Sequence, residues 1–380
     1  MRSASREGAF EALRRDTKVG LHAAKAETTR WKAGHARQKE EIQRLRTVAG
    51  SLRRSLLSAD IIRELLPVRA RTVAARAARA AAAQEETRLQ QISPAYREAI
   101  HQAGHPHPHL TATDVQGLTW WVPAPPSLSA VARDRFVAEQ KFPYRVMTQA
   151  REFAVGAVLL DIGANTGRMS IPRVLLGDFG RAFCAEPDPL NFTALVRNIA
   201  SNGVRGLVLP DRVAIGAMTG RARLRQAKYP GGHHVLRSDA PETDAIDVEC
   251  FTLDDWCSRL EIDPELVSYI KIDVQGWEAG VLTGATRLLA CPHLAWQLEV
   301  HPASLDAAGS SAGELYQLCA QHFTHFVDLN KLATGPRARR TTDLPEALTY
   351  LTGRKRPTDI ILFNASERLD QSMRREHRGR

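Results

Sequence analysis

One stretch constrains this chain more than any other: Val158-Leu-Leu-Asp161-Ile-Gly163-Ala-Asn165-Thr-Gly167. An apolar run meets an acid, and two glycines follow at once. The pattern predicts a buried strand that turns sharply into a helix. Gly163 and Gly167 permit the tight turn and let a ligand approach the backbone without a Cβ in the way. A second acid, Glu186, ends the next apolar run 19 residues beyond Gly167. It stands where a carboxylate can accept hydrogen bonds from a ribose diol. From about residue 155 onward, short apolar runs alternate with helical segments. Strands are expected over residues 158–162, 181–185, 207–213, 269–274 and 294–300, and helices over 189–201 and 278–289. That alternation predicts an α/β domain with a mostly parallel sheet. Ligands of such sheets bind beyond the carboxyl ends of the strands.

Two cofactor classes use a glycine turn followed by an acid, and charge separates them. A dinucleotide sets its pyrophosphate against the loop, where the Asp161 carboxylate would repel it. Adenosylmethionine carries no phosphate; its ammonium and sulfonium favour a nearby carboxylate. The glycine spacing is D-x-G-x-N-x-G rather than G-x-G-x-x-G, which agrees with the second class. A glycine turn that binds nothing is the plain alternative. The expected cofactor contacts are Asp161, Gly163, Ala164, Asn165, Thr166, Gly167, Glu186, Pro187, Val213, Ala214 and Asp273.

Several ordered motifs then converge. Asp161-Ile-Gly-Ala-Asn-Thr-Gly167, Glu186-Pro-Asp-Pro, Lys271-Ile-Asp-Val-Gln-Gly-Trp-Glu278 with Val281-Leu-Thr-Gly-Ala285, Glu299-Val-His-Pro302 and Asp359-Ile-Ile-Leu-Phe363 together resemble the FkbM-type methyltransferases. The resemblance covers about residues 155–365. It implies a Rossmann-like class I methyltransferase fold, a seven-stranded mostly parallel sheet with its last strand antiparallel and helices on both faces. It also implies methyl transfer from S-adenosyl-L-methionine, usually to a hydroxyl of a small molecule or glycan. Two positions depart from the pattern. Pro172 falls inside the helix expected after the glycine loop, which predicts a kink or a late start. Gln275 stands where an acid is common, although Gln is a familiar variant.

Methyl transfer is an in-line displacement that needs nucleophile and methyl group held at near-attack distance. A hydroxyl nucleophile also benefits from a base. Asp273 should end the fourth strand; it would orient the cofactor or the acceptor hydroxyl, bind a metal, or cap the turn that Gly276 opens. His301 should end the fifth strand, either as general base, a role suited to histidine as a residue type, or as a turn residue before Pro302. Glu299 lies two residues earlier on the same strand face, where it could orient His301 or meet the acceptor. Catalytic roles are thus expected of His301, Asp273 and Glu299, and no metal is expected. Glu278 reads as helix-start charge, as do Asp254 and Asp255. Gly231-Gly-His233-His234 falls in an insertion between strands, where substrate contacts often sit or where histidines are simply solvated.

Charge divides the chain. Residues 1–104 hold 21 Lys and Arg against 11 Asp and Glu, residues 105–334 hold 20 against 25, and residues 335–380 hold 11 against 6. The expected organisation is a basic helical or coiled-coil arm over 1–104, a linker and lead-in helix over 105–152, the methyltransferase domain over 153–366 and a basic tail over 367–380. Leu21, Ile42, Leu45, Leu52 and Leu56 fall on a diluted heptad seam, so a homodimer through the arm is expected. His101, His105, His107 and His109 crowd a proline-broken stretch that reads as linker rather than metal site. Five cysteines without a C-x-x-C pair argue against a disulfide or zinc scaffold. No apolar run approaches the ~20 residues of a membrane span, and the opening Met1-Arg-Ser-Ala-Ser-Arg-Glu lacks an apolar signal core. A cytoplasmic location is the expectation. The acceptor is expected to be a sugar, glycan or natural-product hydroxyl. The alternatives are an RNA or nucleic-acid methyltransferase or binder recruited by the basic flanks, or a coiled-coil scaffold with an inert domain. No basic patch with interleaved aromatics supports nucleic acid as partner.

Overall fold

A computed structural model of the chain describes residues 68–143, 156–236, 245–330, 338–351 and 356–364, with side chains from Ala80 onward. The heptad seam of the arm and the basic tail lie outside the described residues. The chain divides into two compact units between Ala77 and Ala78. The second unit, residues 78–380, holds everything that positions the site.

Helix α1 (Val68–Ile92) ends at Ser93, whose side chain caps α2 (Pro94–Gln102). A hairpin follows, β1 (Leu110–Val115) and β2 (Leu118–Pro123), then α3 (Ala130–Glu139). Next come β3 (Gly156–Ile162), α4 (Ser170–Leu175), β4 (Phe179–Ala185), α5 (Pro189–Ser201) and β5 (Val208–Asp211). The insertion carries β6 (Ala214–Ile215), β7 (Gly220–Arg225), β8 (His234–Val235) and β9 (Ala245–Phe251). The domain resumes with α6 (Leu253–Arg259), β10 (Val267–Ile272), α7 (Glu278–Thr283), α8 (Thr286–Leu289), β11 (Ala295–Val300), α9 (Pro302–Ala307) and α10 (Ala312–His322). It closes with β12 (His325–Asp328), β13 (Arg339–Arg340), α11 (Leu344–Ala347) and β14 (Thr358–Phe363).

The main sheet runs β13-β12-β14-β11-β10-β3-β4-β5. Its pairings from β5 through β4, β3 and β10 to β11 are parallel, and β14 enters antiparallel between β11 and β12. Among the described residues eight strands therefore stand where seven were expected, because two-residue β13 adds an edge. Alternate residues of β3 feed different cores, as a strand's period of two requires. Leu160 and Ile162 join Trp256, Val281, Leu298 and Leu315 on one face, while Leu159 joins Trp120, Phe136, Ile171 and Tyr269 on the other. Among the described residues no helix is long and apolar enough to cross a membrane.

Three expectations are corrected. The stretch 105–152, expected as a linker and lead-in helix, holds α3 but also a hairpin that buries Trp120 and Val122, and Phe136 of α3 joins the same core. The end of the stretch expected as a helical or coiled-coil arm is built into the domain. Leu89, Tyr96 and Ala99 belong to the domain core, and buried Asp211 accepts hydrogen bonds from Ser93 Oγ (2.9 Å) and Trp256 Nε1 (3.0 Å) and pairs with Arg259. The helix expected over 278–289 breaks into α7 and α8 at Gly284, where a Cβ would stand 2.2 Å from the Gly216 carbonyl. Pro172, by contrast, falls in the first turn of the short, late-starting α4, where its missing N–H costs little.

Candidate active site

The glycine loop leaves β3 with its backbone already committed. Gly163 (φ 76°) packs so closely on the end of β10 that a Cβ would lie 1.9 Å from the Asp273 carbonyl oxygen. At Gly167 (φ 85°) a Cβ would meet Leu195 at 2.7 Å. Both glycines are thus demanded by the protein's own packing, a stricter cause than ligand approach. The N–H groups of Gly163 and Ala164 both donate to the Ala185 carbonyl, each at 3.0 Å. Asn165, in the left-handed region at φ 52°, donates its N–H to Glu186 Oε2 at 2.8 Å. The Thr166 hydroxyl donates to Gln140 Oε1 at 2.6 Å.

Asp161 sits behind this loop, fully buried and outside the cavity wall. Its carboxylate accepts from the Ser170 hydroxyl and lies 3.4 Å from Lys271 Nζ. Lys271 donates to the Gly163 carbonyl (3.2 Å) and reaches Asp273 Oδ2 at 3.2 Å. Burial disfavours the Lys271 ammonium, but the Asp161 and Asp273 carboxylates outweigh it and raise its pKa. Asp161 therefore meets an internal cation, and the carboxylate presented to a ligand on this strand pair is Asp273. Burial alone would raise the Asp273 pKa; neighbouring Lys271 outweighs it and holds it below the usual carboxylate value.

A cavity of about 530 Å³ opens beyond the carboxyl ends of the parallel strands. It is lined by Gly163, Ala164, Asn165, Thr166, Glu186, Pro187, Val213, Ala214, Asp273, Glu299 and His301, all expected site residues; Gly167 stays behind the wall with Asp161. The strands that carry the acids run β4, β3, β10, β11, β14 across the sheet, so Glu186, Asp273, Glu299 and Asp359 follow in that order. Burial, then the neighbouring Asp188 carboxylate, pushes Glu186 up to about 8. Glu299 is raised well above the ordinary range by burial and then by Asp273 and Asp359. Asp359 is raised by burial too, although Gln297 Nε2 donates to it at 2.8 Å. Glu278 accepts from the N–H groups of Val274 and Gly276, both at 3.2 Å, and holds the turn rather than facing the cavity.

His301 stands at the N-cap position of α9, just past the end of β11, without a side-chain capping hydrogen bond. Its Nδ1 is 2.6 Å from Ser304 Oγ, while its Nε2 is buried without a partner. The insertion supplies residues 229–235. The Pro230 carbonyl accepts from the side-chain amides of both Asn165 (3.2 Å) and Asn191 (2.9 Å), leaving both amide oxygens buried and unpartnered in the cavity wall. His233 Nδ1 accepts from the Ala227 N–H at 2.9 Å, and burial lowers its pKa. The Tyr229 hydroxyl donates to Glu139 of α3, with Arg135 over its ring. Sequence reasoning missed Lys271, Gln275 and Asp359 as site residues and the whole contribution of α3. The first three lay inside motifs already noted, and strand-end position was the available signal.

Residues 161–324 match the family model described as the methyltransferase FkbM domain. The chain is 32% identical over 151 residues to the 2-O-methyltransferase NoeI of Sinorhizobium fredii, a match covering 35% of this chain and 58% of that protein. The chain thus spans little more than half the length of this curated relative. Among solved structures, the methyltransferase FkbM of Methylobacillus flagellatus KT aligns at 16% identity over 55% of this chain and 44% of that one, with a TM-score of 0.31. TYW2 of Pyrococcus horikoshii, in complex with MeSAdo, aligns at 11% identity over 69% and 74%, with a TM-score of 0.35.

Proposed function

We propose that this chain, whose residues 161–324 form an FkbM-type methyltransferase domain, transfers a methyl group from adenosylmethionine to a hydroxyl of a sugar or natural product. The observation that carries this reading is the single cavity in which the glycine loop, Glu186, Asp273 and His301 meet on successive strand ends. Its volume suits a ligand of this size. Its wall offers five acidic side chains (Glu139, Glu186, Asp273, Glu299 and Asp359) and two unpartnered amide oxygens, groups that suit an ammonium, a sulfonium and a ribose diol better than a pyrophosphate. The 2-O-methyltransferase name of the S. fredii relative fits oxygen as the accepting atom.

The bound cofactor would supply a methyl carbon already activated by its sulfonium. The protein has then to bind, orient and take a proton. Glu186 would hold the ribose hydroxyls, and Asp273, fixed by Lys271, would hold the ammonium. With Nδ1–H given to Ser304 Oγ, the Nε2 lone pair of His301 is free to receive the acceptor's hydroxyl proton. Glu299, two residues back on the same strand face, would accept or donate to a neighbouring hydroxyl. Calorimetric titration with adenosylmethionine and, separately, NADH tests the reading. One-site binding of adenosylmethionine alone is expected, and binding of NADH instead would overturn it.

A further inference from the structure

The position at which the sequence departs from its motif carries a specific arrangement. Gln275 lies three residues past the end of β10, in the left-handed region at φ 56°, between Asp273 and a Gly276 whose Cβ would stand 2.2 Å from the Ser304 carbonyl. A non-glycine residue holds that conformation only where its surroundings fix it. The turn directs the side chain across the strand ends. Gln275 Nε2 donates one hydrogen to Asp273 Oδ1 and the other to Glu299 Oε2, each at 2.8 Å. Asp273 Oδ2 is meanwhile held by Lys271. A continuous line of contacts therefore runs Asp161–Lys271–Asp273–Gln275–Glu299, from behind the glycine loop to the strand that carries His301.

We propose that Gln275 is a positioning residue, its amide bridging Asp273 and Glu299 so that two adjacent carboxylates keep fixed places in the cavity wall. Two carboxylates this close repel when both are ionised, and an amide with two N–H donors is the one uncharged side-chain group that satisfies both at once. An ionised acid at 275 has no hydrogen to give and adds a third negative charge. The groups that face Glu299 besides Gln275 are Asp273 and Lys271 from β10, Glu278 from α7 and Asp359 from β14, three acids against one cation. The bridge thus ties an Asp273 held low by Lys271 to a Glu299 raised by burial and then by Asp273 and Asp359, and keeps the two side chains in register across the strand ends. The inference rests on the proposed function only where it assigns Asp273 to the cofactor and Glu299 to the acceptor.

Carboxyl-carbon NMR of the full chain tests it, with the Glu299 signal assigned by its loss in Glu299→Gln. Gln275→Glu is expected to move the Glu299 titration upward by at least about one pH unit. It is also expected to weaken binding of the probe S-adenosylhomocysteine at least tenfold at pH 8, recovering to within threefold near pH 6, where a protonated acid can donate again. Gln275→Ala, which removes the donors without adding charge, should weaken binding about equally at both pH values. A Glu299 titration that does not move in either variant overturns the bridge. A parent protein that binds no S-adenosylhomocysteine instead overturns the methyltransferase reading, and the NMR titration then judges the bridge by itself.

Discussion

Lys271 shows how far a single residue's role can be read from its type and place. The motif around it was legible, and so were the acids on either side. That Asp161 spends its charge on an internal lysine was not, because which buried ion meets which is decided by packing across β3 and β10. His301 was legible as a strand-end residue; its Ser304 partner and unpartnered Nε2 emerge only from the turn into α9. His301→Ala should lower kcat by about 10²–10⁴-fold, the usual span for a lost general base, with cofactor affinity nearly unchanged. A methyl-transfer assay alongside a cofactor titration separates the two, and an unaltered rate would remove the histidine from that role. Glu186 gives a pH prediction. Its pKa rises from 4.5 to about 8 on folding, so between those values the folded state binds more protons than the unfolded state. Stability from this group is full below about 4.5 and declines as pH climbs towards 8. Urea midpoints of the ligand-free protein should fall over that window, and Glu186→Gln should flatten part of the fall. A ribose diol donating to this carboxylate would favour its charged form. Binding near pH 7 should therefore release a proton, visible as a dependence of calorimetric heat on buffer.

At the scale of elements, local signals proved reliable and non-local pairings did not. Helix α5 runs Pro189–Ser201, as its sequence predicts, because Asp188 caps two N–H groups and proline takes the first position. The hairpin β1–β2 carried a signal too: Gln116 and Gly117 both take positive φ in a two-residue turn between Thr- and Trp-rich strands. The prolines and histidines just before it masked that pattern. The four-stranded sheet of the insertion pairs β6 with β9 and β7 with both β8 and β9, partners that no short window of sequence can nominate. Among these elements the junction of the glycine loop with β10 is the least tolerant. Gly163→Ala must push the Asp273 carbonyl aside and abandon a left-handed backbone. It should cost about 1–3 kcal/mol or more in overpacking alone, and it should abolish cofactor binding by parting Lys271 from Asp273. Denaturant unfolding and calorimetry would show both effects, and a variant with parental affinity would contradict the packing argument.

For the molecule as a whole, the boundary between arm and domain lies earlier than charge and composition suggested. The second compact unit begins at Ala78, and Leu89, Tyr96 and Ala99 are core residues rather than arm residues. A chain truncated to begin at residue 78 should unfold cooperatively at nearly the parental temperature. One truncated to begin at residue 105 should be severely destabilised, since it loses those three side chains and leaves Asp211 without its Ser93 partner. Thermal unfolding of the two truncations distinguishes them, and equal stability would return the helices to the arm. The place of β14 has a consequence of another kind. This strand, the last in the described chain, lies between β11 and β12 and brings Asp359 to the cavity. During synthesis the ribosome emits β12 some thirty residues before the strand it must pair with. At roughly 5–20 residues per second, β11 therefore waits for seconds as an open, apolar sheet edge. The nascent protein is most vulnerable to aggregation and to chaperone capture in that interval, and its cavity is finished only once β14 has emerged and inserted.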